Sequence, residues 1–346
     1  VNLTPLQPSD RLLRRAADKG SPDQGNLCRE QPDGEDGLPY HHPGRFIREH
    51  FGERLFRVSV DAGFSCPNRD GSIGTGGCLF CDIDGFRPFA ARSEHSIAEQ
   101  VRDALPDCRR RHPKATGYLI YLQPFTNTYC TPHHLKAVID EALACPGMRG
   151  LIIATRPDCL PPEISDQLQA ANKRTFLQVE LGVQSTDDSA LFAMKRGHTW
   201  ADSARAITGL RRRGIRTTAH LILGTPWESP DSQIRGASII SDYGVSAVKL
   251  HHLQILAGSQ LASLDQSICE RLPSHEEYIN IVIEFLSHLD RGIVVERLMA
   301  EAPPRLLIAP RWGFRSRDLR RKIIAAMIER KRFQGCLYQP SCGISK

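Results

Sequence analysis

From residue 54 onward, short apolar runs alternate with amphipathic stretches. The runs are RLFRVSV (54–60), GYLIYLQ (117–123), GLIIAT (150–155), FLQVELGV (176–183), RTTAHLILG (216–224) and AVKLHHLQIL (247–256). Most are rich in Val, Ile, Leu or Tyr, as strands buried on both faces are. Helix-start signals lie between them. Ser96 with Glu99, Ser185 with Asp188, Thr199 with Asp202 and Ser274 with Glu277 fit a capping box or its acidic variant. Thr131–Pro132 and Ser229–Pro230 place a capping hydroxyl before a proline at the first helical position. Repeated strand, loop and helix predict a parallel sheet with right-handed crossovers, an α/β fold built as a partial (β/α)6 TIM-type barrel. Chemistry in such folds sits just after the carboxyl ends of the strands.

The flanks differ from this core. Residues 1–43 carry little apolar periodicity beyond Leu12 and Leu13, so they predict a disordered N-terminal tail. Residues 44–290 make the barrel, with a cysteine loop at 64–85, and 291–346 form a basic C-terminal extension. Between 305 and 332 there are ten Lys or Arg against Asp318 and Glu329, a local excess of +8. Leu319, Ile323, Ile324, Met327 and Ile328 are interleaved with them and predict an amphipathic helix with a basic face. That face is either a solvated surface or a phosphate grip, and Trp312 and Phe314 beside the arginines favour the second.

Composition narrows the setting. The 346 residues are 40% hydrophobic and 24% charged, an ordinary globular balance, with a formal net charge of +6. No stretch reaches the roughly 18 apolar residues of a membrane span. The polar first thirty residues hold no apolar run that would serve as a secretion signal, so a cytoplasmic, reducing setting is expected. Eleven cysteines, an odd number, argue against a closed disulfide framework.

Three of those cysteines stand out. Cys66, Cys78 and Cys81 follow the first run with the spacing C-x11-C-x2-C across a loop containing Gly71, Gly74, Gly76 and Gly77. Glycines suit a backbone that wraps closely around a bound group. Three thiolates leave two possibilities open. A structural zinc needs a fourth ligand, for which Asp82 or His95 is near. A four-iron cluster on three cysteines keeps one iron free to chelate the amine and carboxylate of S-adenosylmethionine, and such cofactors carry the hard chemistry themselves.

The run FGERLFRVSVDAGFSCPNRDGSIGTGGCLFC (51–81) resembles the YhcC family of radical S-adenosylmethionine proteins, relatives of the radical domain in the catalytic subunit of Elongator. YLQPFTNTY (121–129), TRPDCL (155–160), VELGVQS (179–185), KRGHT (195–199), HLILGTP (220–226), VKLHHLQIL (248–256) and PPRLLIAPRW (303–312) occur in the family's order. The resemblance covers about residues 44–312 and implies a radical-type barrel with a [4Fe-4S] cluster on Cys66, Cys78 and Cys81. It further implies that Thr126 and its neighbours hold the methionine amino group, although QPFTNT (123–128) replaces the family's usual Gly-Gly-Glu. Gln184 would contact the cofactor ribose and Arg196 the methionine carboxylate. His220 stands where some relatives have aspartate, and the backbone at Leu223 and Gly224 would approach the adenine.

Each assignment has an ordinary structural counterpart. Gln184 could tie two loops, Arg196 could cap a helix end, Arg156 and Asp158 could simply pair, and His220, His251 and His252 could be satisfied sheet histidines. Cys28, Cys108, Cys130, Cys145, Cys159, Cys269, Cys336 and Cys342 read as packing thiols. The resemblance points to an RNA substrate, a transfer RNA wobble uridine or its side chain, and to a flavodoxin- or ferredoxin-like electron donor. With only a short segment after residue 312, the reaction is expected to differ from acetyl addition. Two rival readings stay open at this point: a radical enzyme acting on a small molecule or protein, and a non-catalytic zinc module that binds nucleic acid.

Overall fold

The computed structural model describes residues 37–82, 85, 93–264 and 267–341. Most of the expected N-terminal tail, part of the cysteine loop, Cys28 and Cys342 lie outside the described residues. The strands are β1 (Leu55–Val60), β2 (Gly117–Leu122), β3 (Met148–Thr155), β4 (Phe176–Gln184), β5 (Arg216–Leu223), β6 (Ala247–His252), β7 (Ile255–Leu256), β8 (Val294–Arg297) and β9 (Leu307–Ala309). The helices are α1 (Pro43–Phe51), α2 (Ile97–Arg111), α3 (Pro132–Leu143), α4 (Pro162–Asn172), α5 (Asp188–Ala193), α6 (Trp200–Arg212), α7 (Pro230–Tyr243), α8 (Ser267–Glu270), α9 (His275–Ser287) and α10 (Ser316–Glu329).

Seven strands form one sheet in the order β1-β2-β3-β4-β5-β6-β8, every neighbouring pair parallel, curled into a half-barrel. Strand order follows chain order because each crossover helix returns the chain to the same side, as right-handed crossovers do. The outward-facing Val58, Val60, Ile120, Leu122, Leu151, Ile153, Val179 and Leu181 join the helices in the main core. The opposite faces of β2 and β3 put Leu119, Tyr121 and Ile152 inside the curl, where Ile47 and Phe51 of α1 and Phe176 of β4 close the bottom. Period-2 side-chain alternation thus gives each strand one face to helices and one to the lumen.

Four of the expected capping sites form as the pattern indicates, with Ser96, Thr199 and Ser274 making reciprocal boxes and Ser229 accepting from Ser232 N. Thr131 also caps, through His134 N. Ser185 does not cap α5. Asp187 does, accepting from Ser189 and Ala190 N, while the Ser185 hydroxyl donates to Glu228 at 2.6 Å. An aspartate one residue before the helix reaches the free N–H groups directly, which leaves the serine for a tertiary bond.

Two corrections concern the sheet. The run 247–256 is not one strand: β6 ends at His252, and β7 pairs antiparallel with β9 in a separate ribbon. The sheet also holds a seventh strand beyond the six runs. β8 lies past residue 290, in the expected extension, yet it pairs with β6 and carries Glu296 into the barrel. A four-residue strand half made of charged residues leaves no apolar run to read. The basic helix α10 forms, with Leu319, Ile323 and Met327 buried in the main core and Ile324 partly so, while Ile328 is exposed. Trp312 and Phe314 are half-buried instead of forming an open aromatic face. The Trp312 ring stacks on His252 at 4.4 Å and its N–H donates to the Pro273 carbonyl. Among the described residues no helix is long and apolar enough to cross a membrane.

Candidate functional site

The loop that follows β1 is held by its own backbone. Arg69 and Asp70 N–H groups donate to the Cys66 carbonyl, Gly77 N to Asn68 O, and Cys81 N to Cys78 O. Gly77 has φ +89°, a backbone conformation that residues with a Cβ rarely adopt, so glycine suits the turn. The loop is tied across the barrel mouth as well: Leu79 N donates to Met194 O, and Gln260 donates to the Gly77 carbonyl at 2.9 Å.

Cys66, Cys78 and Cys81 all line one cavity of about 260 Å³ at the carboxyl ends of the strands. Hydrogen-bond donors converge on two of the sulfurs. Arg196 Nη1 stands 3.0 Å and Asn68 Nδ2 3.2 Å from Cys78 Sγ, and Arg69 Nη1 lies 3.6 Å from Cys81 Sγ. Burial by itself raises the Cys78 thiol, but Arg196, the Asn68 amide and Arg156 outweigh it and hold Cys78 below the ordinary thiol range. Burial and the neighbouring Cys78 push Cys81 up to about 11.

Of the residues expected at the site, Thr126, Gln184, Arg196 and His220 line the same cavity as the cysteines. Gly224 does not; it follows β5 with its N–H on Gln233 Oε1 at 2.7 Å and packs against Pro273. Gln184 closes β4 where the register with β5 slips, and it adopts φ +70°. Phe125 (φ +62°) and Lys195 (φ +54°) share that left-handed backbone, so three of the four described non-glycine residues with positive φ sit in or beside the cavity. Such conformations cost about 1–3 kcal/mol each and gather where a loop is held for function.

Each nitrogen of the Arg196 guanidinium has a partner. Nε meets His198 Nε2 at 3.2 Å, Nη1 meets Cys78, and Nη2 donates to the Gly182 carbonyl at 2.7 Å. It does not cap a helix end. His220 Nε2 pairs with Glu180 at 2.8 Å. Arg156 and Asp158 do pair, bidentately, at 2.9 and 2.8 Å. His251 lines the cavity beside His220. Cys130 and Cys159 open instead onto a neighbouring surface pocket.

A charged floor went unread in the sequence. Glu180, fully buried on β4, accepts from Tyr121 Oη, Lys249 Nζ, His220 and Arg57, while Arg57 also holds Glu296 at 2.7 Å. Burial raises the Glu180 carboxyl, but Lys249, His220 and Arg57 together hold it well below the usual carboxylate range. The signal was present: one Glu in VELGV and one Lys in AVKL, each inside a run too apolar to leave a charge unpaired.

The donor set fits an iron–sulfur cluster. Three sulfurs share a cavity, with hydrogen-bond donors aimed at two of them, the arrangement that tunes cluster potentials. The proposed fourth ligands for zinc are elsewhere. Asp82 accepts from Gly258 N at 3.1 Å and Gly85 N at 3.3 Å, and His95 is exposed. Among the described residues no three His, Cys, Asp or Glu side chains close on the point a single ion would occupy. The cavity wall also carries unmet valences, because Arg156 Nη1 and Gln254 Oε1 are buried without a partner.

Comparison with known proteins agrees with this arrangement. Residues 70–233 match the Radical SAM superfamily and residues 245–329 the Radical_SAM C-terminal domain. The chain is 33% identical over 302 residues to YtqA of Bacillus subtilis, covering 87% of this chain and 93% of that protein. It is 32% identical over 270 residues to YhcC of Escherichia coli K12, covering 78% and 86%. A tRNA uridine(34) acetyltransferase of Methanocaldococcus infernus is 27% identical over 162 residues, 46% of this chain and 30% of that protein. Among solved structures, Elp3 of Methanocaldococcus infernus superposes with a TM-score of 0.62 at 16% identity. That superposition covers 81% of this chain and 64% of the Elp3 chain, a likeness of fold.

Proposed function

Because the chain belongs to the radical SAM superfamily, in the group that includes YtqA and YhcC, we propose that this radical SAM enzyme modifies RNA, at the side chain of a transfer RNA wobble uridine. The observation that carries the chemistry is the meeting of Cys66, Cys78, Cys81 and Arg196 with a polar barrel floor in one cavity. Cys66, Cys78 and Cys81 would hold the [4Fe-4S] cluster. When bound, the cluster and S-adenosylmethionine supply reductive cleavage of a carbon–sulfur bond to give a 5′-deoxyadenosyl radical.

The chain's own residues then have three tasks. Arg196, Asn68 and Arg69 donate toward the sulfurs and favour the ligating thiolate form. Thr126 and Gln184, on loops fixed by Asn127 and by the β4 bulge, would orient the sulfonium compound. Tyr121, His220 and His251 form the polar wall facing a substrate. A ferredoxin- or flavodoxin-like protein would deliver the electron, in a reducing cytoplasm.

Two observations favour RNA over a small molecule or a protein. Arg317, Arg321, Lys322, Arg330 and Lys331 of α10 and its C-terminal end are exposed, a phosphate-binding composition. The partial sequence likeness to a tRNA uridine(34) acetyltransferase runs the same way. Trp312 and Phe314 lend no support, since both pack into the fold. Deleting the gene and profiling transfer RNA nucleosides by mass spectrometry tests the proposal. One uridine derivative should disappear and its precursor accumulate; an unaltered profile across growth conditions refutes it.

A further inference from the structure

We infer that the substrate of this enzyme carries an oxyanion, a phosphate or a carboxylate, and that Arg297 at the end of β8 is the group that takes it. This rests on the radical SAM reading and holds whether or not the substrate is RNA. The two carboxylates of the barrel floor, Glu180 and Glu296, are answered by Arg57 and Lys249, each of which reaches both. Arg297 lines the cysteine cavity together with Tyr121, Glu180, His220 and His251, yet it stands outside that set of ion pairs. Among the described residues no carboxylate pairs with it. Its one side-chain partner is His251, whose Nε2 lies 3.4 Å from Arg297 Nη1. Burial and the Arg297 charge hold His251 well below the usual histidine range, so that ring is a neutral acceptor. Arg297 is therefore a cation in excess, beside a floor whose carboxylates are already paired.

The contact with His251 uses only Nη1. Nε and Nη2 have no protein partner among the described residues, and the side chain is accessible. They form the edge of the guanidinium whose two parallel N–H donors match two oxygens of a carboxylate or a phosphate. Position favours the substrate over the sulfonium cofactor. β8 is the edge of the sheet opposite β1, and the loop after β1 carries the cysteines. Arg297 also lines a neighbouring cavity of about 340 Å³ with Tyr40, Ser316 and Arg320, to which no cluster cysteine contributes. An oxyanion on Arg297 is thus held at the junction of two cavities, with Tyr121, His220 and His251 left to face the reacting part of the molecule. In an RNA the oxyanion is the phosphate of the target nucleotide; in a small molecule it is an acidic group of its own.

The test uses the full chain reconstituted anaerobically with iron and sulfide and saturated with S-adenosylmethionine. Ligand-observed magnetic resonance measures binding of uridine, uridine 5′-monophosphate and orotate (a uracil carboxylate), and of inorganic phosphate and acetate as bare oxyanions. The wild type should prefer an anion to uridine, and Arg297→Gln should weaken that anion roughly tenfold to a hundredfold while leaving uridine where it was. Arg297→Lys keeps the charge without the fork and should retain part of the preference. Both variants change an accessible side chain, so their cluster spectra should match the wild type. A preference for the monophosphate assigns the oxyanion to a nucleotide phosphate, and one for orotate to a carboxylate on the base. Arg297-dependent binding of the bare oxyanions alone keeps the assignment and counts against a uridine substrate. The assignment is overturned if uridine binds as well as every anion, if no anion binds, or if Arg297→Gln keeps the wild-type preference. A wild type that takes up no iron and sulfide sinks the radical SAM reading instead, however the anions behave.

Discussion

At the floor of the half-barrel Glu180 is enclosed by Tyr121, Lys249, His220 and Arg57, and Glu296 answers the remaining charge on Arg57 and Lys249. At the mouth Cys78 is met by Arg196 and Asn68, while Arg156 Nη1 and Gln254 Oε1 are buried with no partner. Both regions bury polar groups that would be costly alone. They differ in closure. The floor satisfies itself, which is what allows charges inside a barrel; the mouth holds donors and sulfurs in excess of its internal partners. A closed polar network holds its own geometry, and an open one leaves groups without partners.

The largest expected effect breaks the mouth. Cys78→Ala should lower iron after reconstitution to background and abolish 5′-deoxyadenosine formation, with the far-ultraviolet circular dichroism of the barrel retained. A variant that still forms the product would remove Cys78 from the ligand set.

Next comes the floor. Glu180→Leu should cost about 3–5 kcal/mol in urea unfolding, because Lys249 and Arg57 are left to share the single carboxylate of Glu296. Adding Lys249→Met should recover a good part of that loss. If Glu180→Leu alone is nearly neutral, the floor is not the closed network described here.

His252 lies between the two regions, stacked on Trp312, and burial lowers it to about 4. The unfolded chain takes up its proton near pH 6.5 and the folded one only near 4, so the contribution of neutral His252 is complete above pH 6.5. It is lost progressively as the pH falls toward 4, by up to about 3 kcal/mol. His252→Phe should flatten that part of the stability–pH curve, and an unchanged curve would show that His252 is not the group responsible.

The smallest effect on the fold is on α10. Arg317→Ala with Arg321→Ala and Lys322→Ala should change stability by less than about 1 kcal/mol. The salt slope of RNA binding should flatten by up to about three units. Arg320 is left alone because it donates to Tyr40 at 2.8 Å. An unaltered slope would make this helix plain solvated surface.

Much of the fold was legible because its strands are long and apolar and its helices begin with capping hydroxyls. Five of the six runs became one strand each, with small shifts at their ends. β8 was hidden because Glu296 and Arg297 fill half of it, and the break after His252 because Leu253 continues the apolar pattern while its N–H turns to Leu223 O. The aromatic pair at 312 and 314 misled, since polar neighbours in sequence say nothing about a ring that reaches back to His252 and Pro273.

Sequence alone determined the cysteine spacing, the glycine turns around it, the parallel barrel and the basic stripe of α10, all properties of residues close together along the chain. Only the tertiary structure decided which arginine meets a sulfur, and that Glu180 and Lys249 answer each other from different strands. Those outcomes depend on distances of about 3 Å between groups 40 to 118 positions apart, as from the Arg156 guanidinium to the Arg196 carbonyl and from Cys78 to Arg196. Local pattern carries no information at that range, because the partner of a buried charge is chosen by the register of the sheet.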